Sequence, residues 1–264
     1  MNLGLDGKVA WVLGGSSGLG LASAKVLAQE GASVAISARD EDRLAAAANE
    51  IDQFTEGSCL GVPVDVSDGK ALKDAARVIE KELGGFDILV ANAGGPPPGS
   101  FDDFGDDALY DAFTLTTASA WRATKAVLPS MRARGGGAIV YITSITTKEV
   151  VDRLLLSNMM RAAVVGMAKT LARELASDNI RVVCAAPGHH DTPRVQRLDA
   201  ARAEAEGKPI TEIQARTAHN IPLGRLGDPL EFGNAVAFLA SEAASFISGV
   251  SLTVDGGQLR SMST

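Results

Sequence analysis

The segment Gly14-Gly15-Ser16-Ser17-Gly18-Leu19-Gly20 constrains this chain more than any other part of it. It follows the apolar run Lys8–Leu13 and opens a stretch of helical periodicity, Leu19–Glu30. Glycines at 14, 18 and 20 permit a tight turn and let another group approach the backbone closely. The helix that starts there presents unpaired N–H donors and the positive end of its dipole, which together suit a pyrophosphate. A bare glycine pattern says little, but the strand–turn–helix context supplies a reason for it. Gly14, Ser16, Ser17, Gly18, Leu19 and Gly20 are therefore expected to line a dinucleotide.

The rhythm that begins at this turn continues along the chain. Short apolar runs read as strands at Lys8–Leu13, Ser33–Ala38, Ser58–Val64, Asp87–Ala91, Ala138–Thr143, Ile180–Ala185 and Ser251–Val254. Helical spacing falls between them, at Leu19–Glu30, Glu41–Asp52, Gly69–Leu83, Asp106–Arg134, Ser157–Ser177 and Pro229–Ser241. Gly31, Gly84 and Gly135–Gly137 mark helix ends. Alternation of this kind predicts βαβ units, and near-continuous apolar strands suit a sheet covered on both faces. The expectation is an α/β fold: one Rossmann-type domain over residues 1–264, built on a doubly wound, parallel, seven-stranded sheet. At 264 residues the chain is within the range of one such sheet. Two stretches break the rhythm. Gly94–Ser100 is a stiff loop with three prolines, expected to form a preformed wall of the substrate pocket. The charged, Ala-rich segment at about 189–220 falls where a lid over the C-terminal edge of the sheet belongs.

The tip of the second strand reads Ser37-Ala38-Arg39-Asp40. A carboxylate there would accept the ribose hydroxyls of NAD(H). Arg39 can instead grip a 2′-phosphate with both arms of its guanidinium, which favours NADP(H) over NAD(H). Asp40 reads as a helix N-cap.

Composition removes other classes of function. The net charge is 25 − 32 = −7 without a basic run, so nucleic acid is not expected as a partner. No apolar segment reaches the roughly 18 residues that span a bilayer, and the N-terminus lacks a secretion signal. Cys59 and Cys184 each stand alone in an apolar run and read as reduced core residues rather than a disulfide or metal pair. A cytoplasmic protein acting on a small molecule is expected.

With these residues in view the chain resembles the short-chain dehydrogenase/reductase family over nearly its whole length. Gly14-x-x-x-Gly18-x-Gly20 is similar to the family's cofactor loop, although Leu13 replaces the usual Thr. Asp65-Val66 matches the adenine-contacting pair, and Asn92-Ala93-Gly94 the motif after the fourth strand. Ser144 matches the catalytic Ser, Pro187-Gly188 with Thr192 the nicotinamide-side motif, and Val254-Asp255-Gly256-Gly257 the C-terminal signature. The resemblance implies a homodimer or homotetramer built on the helices Asp106–Arg134 and Ser157–Ser177.

The family's active site is Asn, Ser and Tyr-x-x-x-Lys, with the Tyr usually about 13 residues after the Ser. Here that count from Ser144 reaches Ser157, and Arg161 stands at the Lys position. Thr116 stands where the Asn is expected. A serine hydroxyl is far less acidic than a tyrosine beside a cation, and an arginine keeps its proton at any working pH. Ser144, Ser157, Thr116 and Arg161 can nonetheless donate hydrogen bonds to an oxyanion. That suits hydride transfer to a carbonyl or a carbonyl-conjugated alkene, since an enolate is a weaker base than an alkoxide. The Ser-Asn-Met-Met motif is similar to that of bacilysin-type enone reductases, which belong to the same superfamily and lack the Tyr. Two alternatives stay open: an ordinary ketone or 3-oxoacyl reductase whose acid is a lid histidine, His189 or His190; and a non-catalytic protein that only binds NADP(H). Tyr141 reads as core, Tyr110 as lying on a different helix face from Thr116, and Trp121 as core or interface.

Overall fold

In the computed structural model, which describes residues 2–53 and 59–262, seven apolar runs form strands. They are β1 (Val9–Leu13), β2 (Ser33–Ala38), β3 (Leu60–Pro63), β4 (Ile88–Ala91), β5 (Gly137–Ile142), β6 (Ile180–Pro187) and β7 (Ser251–Val254). All pair in parallel, in the order β3-β2-β1-β4-β5-β6-β7. Parallel neighbours need crossover connections, and these are helical. They include α1 (Gly18–Gln29), α2 (Glu41–Asp52), α3 (Gly69–Leu83), α4 (Asp106–Ala112), α5 (Ser119–Ala133), α6 (Leu155–Glu174), α7 (Pro193–Glu206), α8 (Ile210–His219) and α9 (Pro229–Ala240). Among these helices none is long and apolar enough to cross a membrane.

Both faces of the sheet are dry. One core joins Leu27, Ile36, Phe232 and Val236 beneath α1, α2 and α9. The other joins Leu72, Val127, Met131, Tyr141 and Val164 beneath α3, α5 and α6. Burial of each large apolar side chain contributes about 1.5–3 kcal/mol, so the two layers fix the sheet firmly. Cys59 and Cys184 lie in these layers as free thiols, each pushed up to about 12 chiefly by burial. Local chemistry sets the helix starts. Asp40, Asp68 and Thr192 accept backbone N–H groups at the heads of α2, α3 and α7, and Asp228 with Glu231 forms a capping box on α9.

The structure departs from the sequence reading in several places. The predicted helix Asp106–Arg134 is interrupted between α4 and α5 by a π-type turn, Phe113–Ala118. There the Ser119 hydroxyl donates to Leu115 O and Thr116 O, competing with the helix ladder. The helix expected at Ser157–Ser177 starts two residues earlier and ends at Glu174, before a short turn Ala176–Asp178. β6 runs on to Pro187 because β7 pairs with it there, Pro187 opposite Val254. β3 is shorter than Ser58–Val64, and Ser58 lies outside the described residues. The lid segment is folded as α7 and α8.

β1 has β2 on one side and β4 on the other, with Val12 opposite both Ile36 and Val90. Strand order therefore reverses between β1 and β4. The crevice beyond the C-terminal ends of these two strands is where open α/β sheets take their ligands.

Candidate active site

The glycine turn sits at that crevice. Gly14 has φ +61°, and a Cβ on it would lie 2.6 Å from Asn92 Nδ2. A Cβ on Gly20 would lie 2.2 Å from Gly14 O. Gly18 has φ +54° and would meet Thr192 Cβ and Cγ2 at 3.5 Å. The turn thus packs against Asn92 after β4 and against Thr192 at the head of α7. Asn92 Nδ2 also donates to Gly14 O at 3.5 Å. Ser17 stands at the N-cap of α1 without capping it through its side chain, unlike the caps of α2, α3, α7 and α9. Its first amides are left to an anion, so the cradle fits the pyrophosphate of a dinucleotide.

At the tip of β2, Arg39 is exposed and pairs with no carboxylate among the described residues. Asp40 turns away from it to cap α2, accepting from Arg43 N at 3.0 Å. Ser37 is fully buried and accepts from Trp11 Nε1 at 3.0 Å, so it belongs to the core rather than to the strand tip. Next along the edge, Asp65 is exposed and holds Ser67 N at 2.9 Å, while Val66 is buried. Pro187 and Gly188 end β6, where a Cβ on Gly188 would fall 2.6 Å from Asp255 Cβ.

The chemistry-bearing residues gather at the ends of β4 and β5. Ser144 caps the turn Ile145–Thr147, its Oγ accepting from Thr146 N at 3.1 Å, which leaves the hydroxyl proton free to donate. Ser157 and Arg161 lie one turn apart on the same face of α6, both buried. Among the described residues the Ser157 hydroxyl has no hydrogen-bond partner. Arg161 Nη1 donates to Ile142 O at 2.7 Å and Nη2 to Ala93 O at 3.5 Å, so the guanidinium bridges the strand ends. Burial, with Arg194 adding repulsion, pushes its pKa down to about 10, and it stays cationic at neutral pH. Thr116 sits in the π-type turn with a buried Oγ1 that has no hydrogen-bond partner among the described residues. Together with Asn92, Tyr141 and Arg161 it lines a cavity of about 10 Å³, close to the room one water molecule needs.

Other candidates fall elsewhere. His190 is buried edge-on against Phe232, with ring centroids 5.4 Å apart, and its Nδ1 faces Gly188 O at 3.3 Å. The structure brings it together with α9 and Gly227 rather than with Ser144 and Arg161, and burial pushes its pKa down. His189 Nδ1 contacts Gln258 Oε1 at 2.9 Å. Tyr141 is fully buried, its hydroxyl bonded to Thr124 Oγ1 at 2.6 Å, and burial raises its pKa. Tyr110 and Trp121 are exposed. One residue gains contacts that the sequence did not assign it: Arg194 of α7 reaches the loop after β4, donating to Gly95 O and Pro96 O at 3.1 Å each. Its only signal in the sequence was a charge in a lid that carries both signs.

A family model described as enoyl-(acyl carrier protein) reductase matches residues 14–258. Among solved structures, the chain is similar to L-sorbose reductase from Gluconobacter frateurii in complex with NADPH and L-sorbose. That match has a TM-score of 0.95 and 35% identity, covering 99% of this chain and 100% of the other. It is also similar to YwfH, an NADPH-dependent reductase involved in bacilysin biosynthesis, with a TM-score of 0.92 and 30% identity over 97% and 99% of the two chains. A short-chain oxidoreductase from Pseudomonas aeruginosa PAO1, described as containing an atypical catalytic center, matches with a TM-score of 0.89. Its identity is 34%, over 98% of this chain and 99% of that one.

Proposed function

Since the chain belongs to the short-chain dehydrogenase/reductase family, we propose that it is an NADPH-dependent reductase of a carbonyl or a carbonyl-conjugated alkene, working through an atypical Ser/Arg site. The observation that carries this reading is the buried Arg161, held across the ends of β4 and β5 one turn after Ser157. A cation costs free energy to bury without a carboxylate, and sites where charge develops during reaction are where such arrangements recur.

Gly14, Ser16, Ser17, Gly18, Leu19 and Gly20 hold the pyrophosphate of the cofactor in this reading. Asp65 and Val66 flank the adenine. Asn92, Ala93, Gly94, Pro187, Gly188 and Thr192 surround the nicotinamide. Arg39, exposed and unpaired, selects the 2′-phosphate and with it NADPH over NADH. An NADPH complex and an NADPH-dependent reductase among the related structures support that choice.

When bound, the cofactor supplies the hydride. The protein's part is to stabilise the negative charge that appears on the substrate oxygen. Ser144 has its acceptor side satisfied by Thr146 N and offers its proton. Ser157 donates from the start of the same helix face, and Arg161 adds a fixed positive potential in a dry setting. Thr116 borders the cavity behind them. None of the four is a Brønsted acid near neutral pH, so an enolate, which solvent can protonate, suits the site better than an alkoxide. The relatives described as an enoyl reductase family and as having an atypical catalytic center are consistent with this reading. A homodimer or homotetramer through α5 and α6 belongs to the same proposal, supported by the exposed Phe113 and Trp121 at the groove between those helices.

The test is NADPH oxidation by the purified protein across a panel of enones and ketones. Turnover is expected, enones foremost, and Ser144→Ala should lower kcat about a hundredfold to a thousandfold, the usual effect of losing one oxyanion donor. Tight NADPH binding with no turnover on any substrate, or unchanged turnover in Ser144→Ala, would sink the reading.

A further inference from the structure

The lid carries Asp191 and Arg194 close together, so its sequence leaves the charge preference of the pocket undecided. The fold separates them. Asp191 is exposed and accepts from Gln196 Nε2 of α7, just after it, at 2.9 Å. Arg194 turns the other way, is half-buried, and crosses to the loop after β4.

Its guanidinium lies over Gly95, where a Cβ would sit 2.3 Å from Nη2 and 2.4 Å from Cζ. A side chain at 95 would have to push this guanidinium aside. Arg161 reaches the same loop from α6 at Ala93 O, so two guanidinium groups converge on residues 93–96 and lie close enough to repel each other. Both are tied to neutral carbonyls. Among the described residues neither has a carboxylate partner, nor does the neighbouring Arg197. Two cations drawn together out of solvent repel each other, and burial and this repulsion hold the pKa of Arg161 below its ordinary value. An anion bound at this pair of cations offsets both penalties.

We propose that the substrate carries a carboxylate near its reducible group and that Arg194 receives it, an assignment that rests on the reductive reading given above. Arg194 is then the specificity-determining residue and Arg161 its neighbour on the catalytic side. The fork of the guanidinium matches a carboxylate with two parallel hydrogen bonds, which a lysine cannot reproduce. The competing anion is the pyrophosphate of the cofactor, because Thr192, two residues before Arg194, packs against Gly18.

The experiment compares trans-acetylacrylate, an enone acid, with its methyl ester as substrates of the NADPH-loaded protein. It uses wild type, Arg194→Gln and Arg194→Lys, and measures NADPH affinity for each. The acid should be favoured in kcat/KM by about tenfold to a hundredfold in wild type, as for a hydrogen bond to a charged group. That ratio should fall to about one in Arg194→Gln and be partly kept in Arg194→Lys. A wild-type ratio near one, with the ester reduced, overturns the proposal and leaves the reductase reading standing. Weakened NADPH binding in Arg194→Gln with the ratio intact also overturns it, assigning the charge to the cofactor. If neither compound is reduced, binding of levulinate and methyl levulinate to the NADPH complex decides. An Arg194-dependent preference for the acid supports the carboxylate site at Arg194, and no preference or no binding overturns it.

Discussion

Replacing Gly20 by alanine tests whether the first turn is a dinucleotide cradle. The added Cβ would lie 2.2 Å from Gly14 O, whereas ordinary contact begins near 3.4 Å, so the segments must part by 3.4 − 2.2 = 1.2 Å. Both segments are backbone, and no rotamer change absorbs the clash. Overpacking of this kind costs about 1–3 kcal/mol, which lowers the thermal midpoint by several degrees without unfolding the protein. The larger effect falls on the ligand. A shift of about an ångström draws the helix-head amides off the phosphate oxygens, and each such charge-assisted bond contributes about 1.5–3 kcal/mol. Loss of two weakens NADPH by about 3–6 kcal/mol, roughly a hundredfold to ten-thousandfold in Kd. Calorimetric titration of NADPH into Gly20→Ala measures this, with Gly166→Ala on α6 as the control because nothing lies within 4 Å of its added methyl. A folded Gly20→Ala protein that binds NADPH within threefold of wild type would refute the argument.

Two further outcomes are expected. Arg39→Ala should lower NADPH affinity by about tenfold to a hundredfold while leaving NADH affinity nearly unchanged, as read from paired titrations; equal losses for both cofactors would remove Arg39 from the 2′-phosphate site. His190, whose pKa is depressed by burial, should make stability depend on pH. The unfolded chain takes up a proton near pH 6.5 that the folded one resists, so stability is full above that value and declines as pH falls through it. His190→Leu should therefore flatten the thermal midpoint between about pH 7 and pH 5 relative to wild type, and identical slopes would contradict the assignment.

Much of this molecule is written locally. The glycine turn, the apolar strands and the cap at Asp40 depend on neighbours within a few residues, so spacing alone reveals them. Ser157, Arg161 and Thr116 are visible as departures from a familial pattern, though spacing says nothing of the carbonyls that Arg161 bridges. What stays hidden depends on distant partners. Ser37 looks like a strand tip until Trp11 claims its hydroxyl. His190 looks like a lid residue until Phe232 covers it. Arg194 is one of several lid charges until Gly95 opens room for it. The π-type turn at Phe113–Ala118 depends on whether Ser119 bonds its own backbone, which hydrophobic periodicity does not encode.

The contact between Gly14 and Asn92 spans 78 residues, and β1 meets β4 across the same interval. A ribosome working at about 5–20 residues per second delivers β4 roughly 4–16 s after β1. During that interval the backbone edge formed by Ala10, Trp11 and Val12 has no neighbour on the β4 side, and open apolar edges of this kind recruit other chains. Closing so distant a parallel pair is also slow. The nascent chain is thus most prone to aggregate after β1 to β3 have emerged and before β4 docks. Because the glycine turn packs against Asn92, docking of β4 closes that interval, and protease protection of β1 followed through a pulse-labelled translation time course would register it.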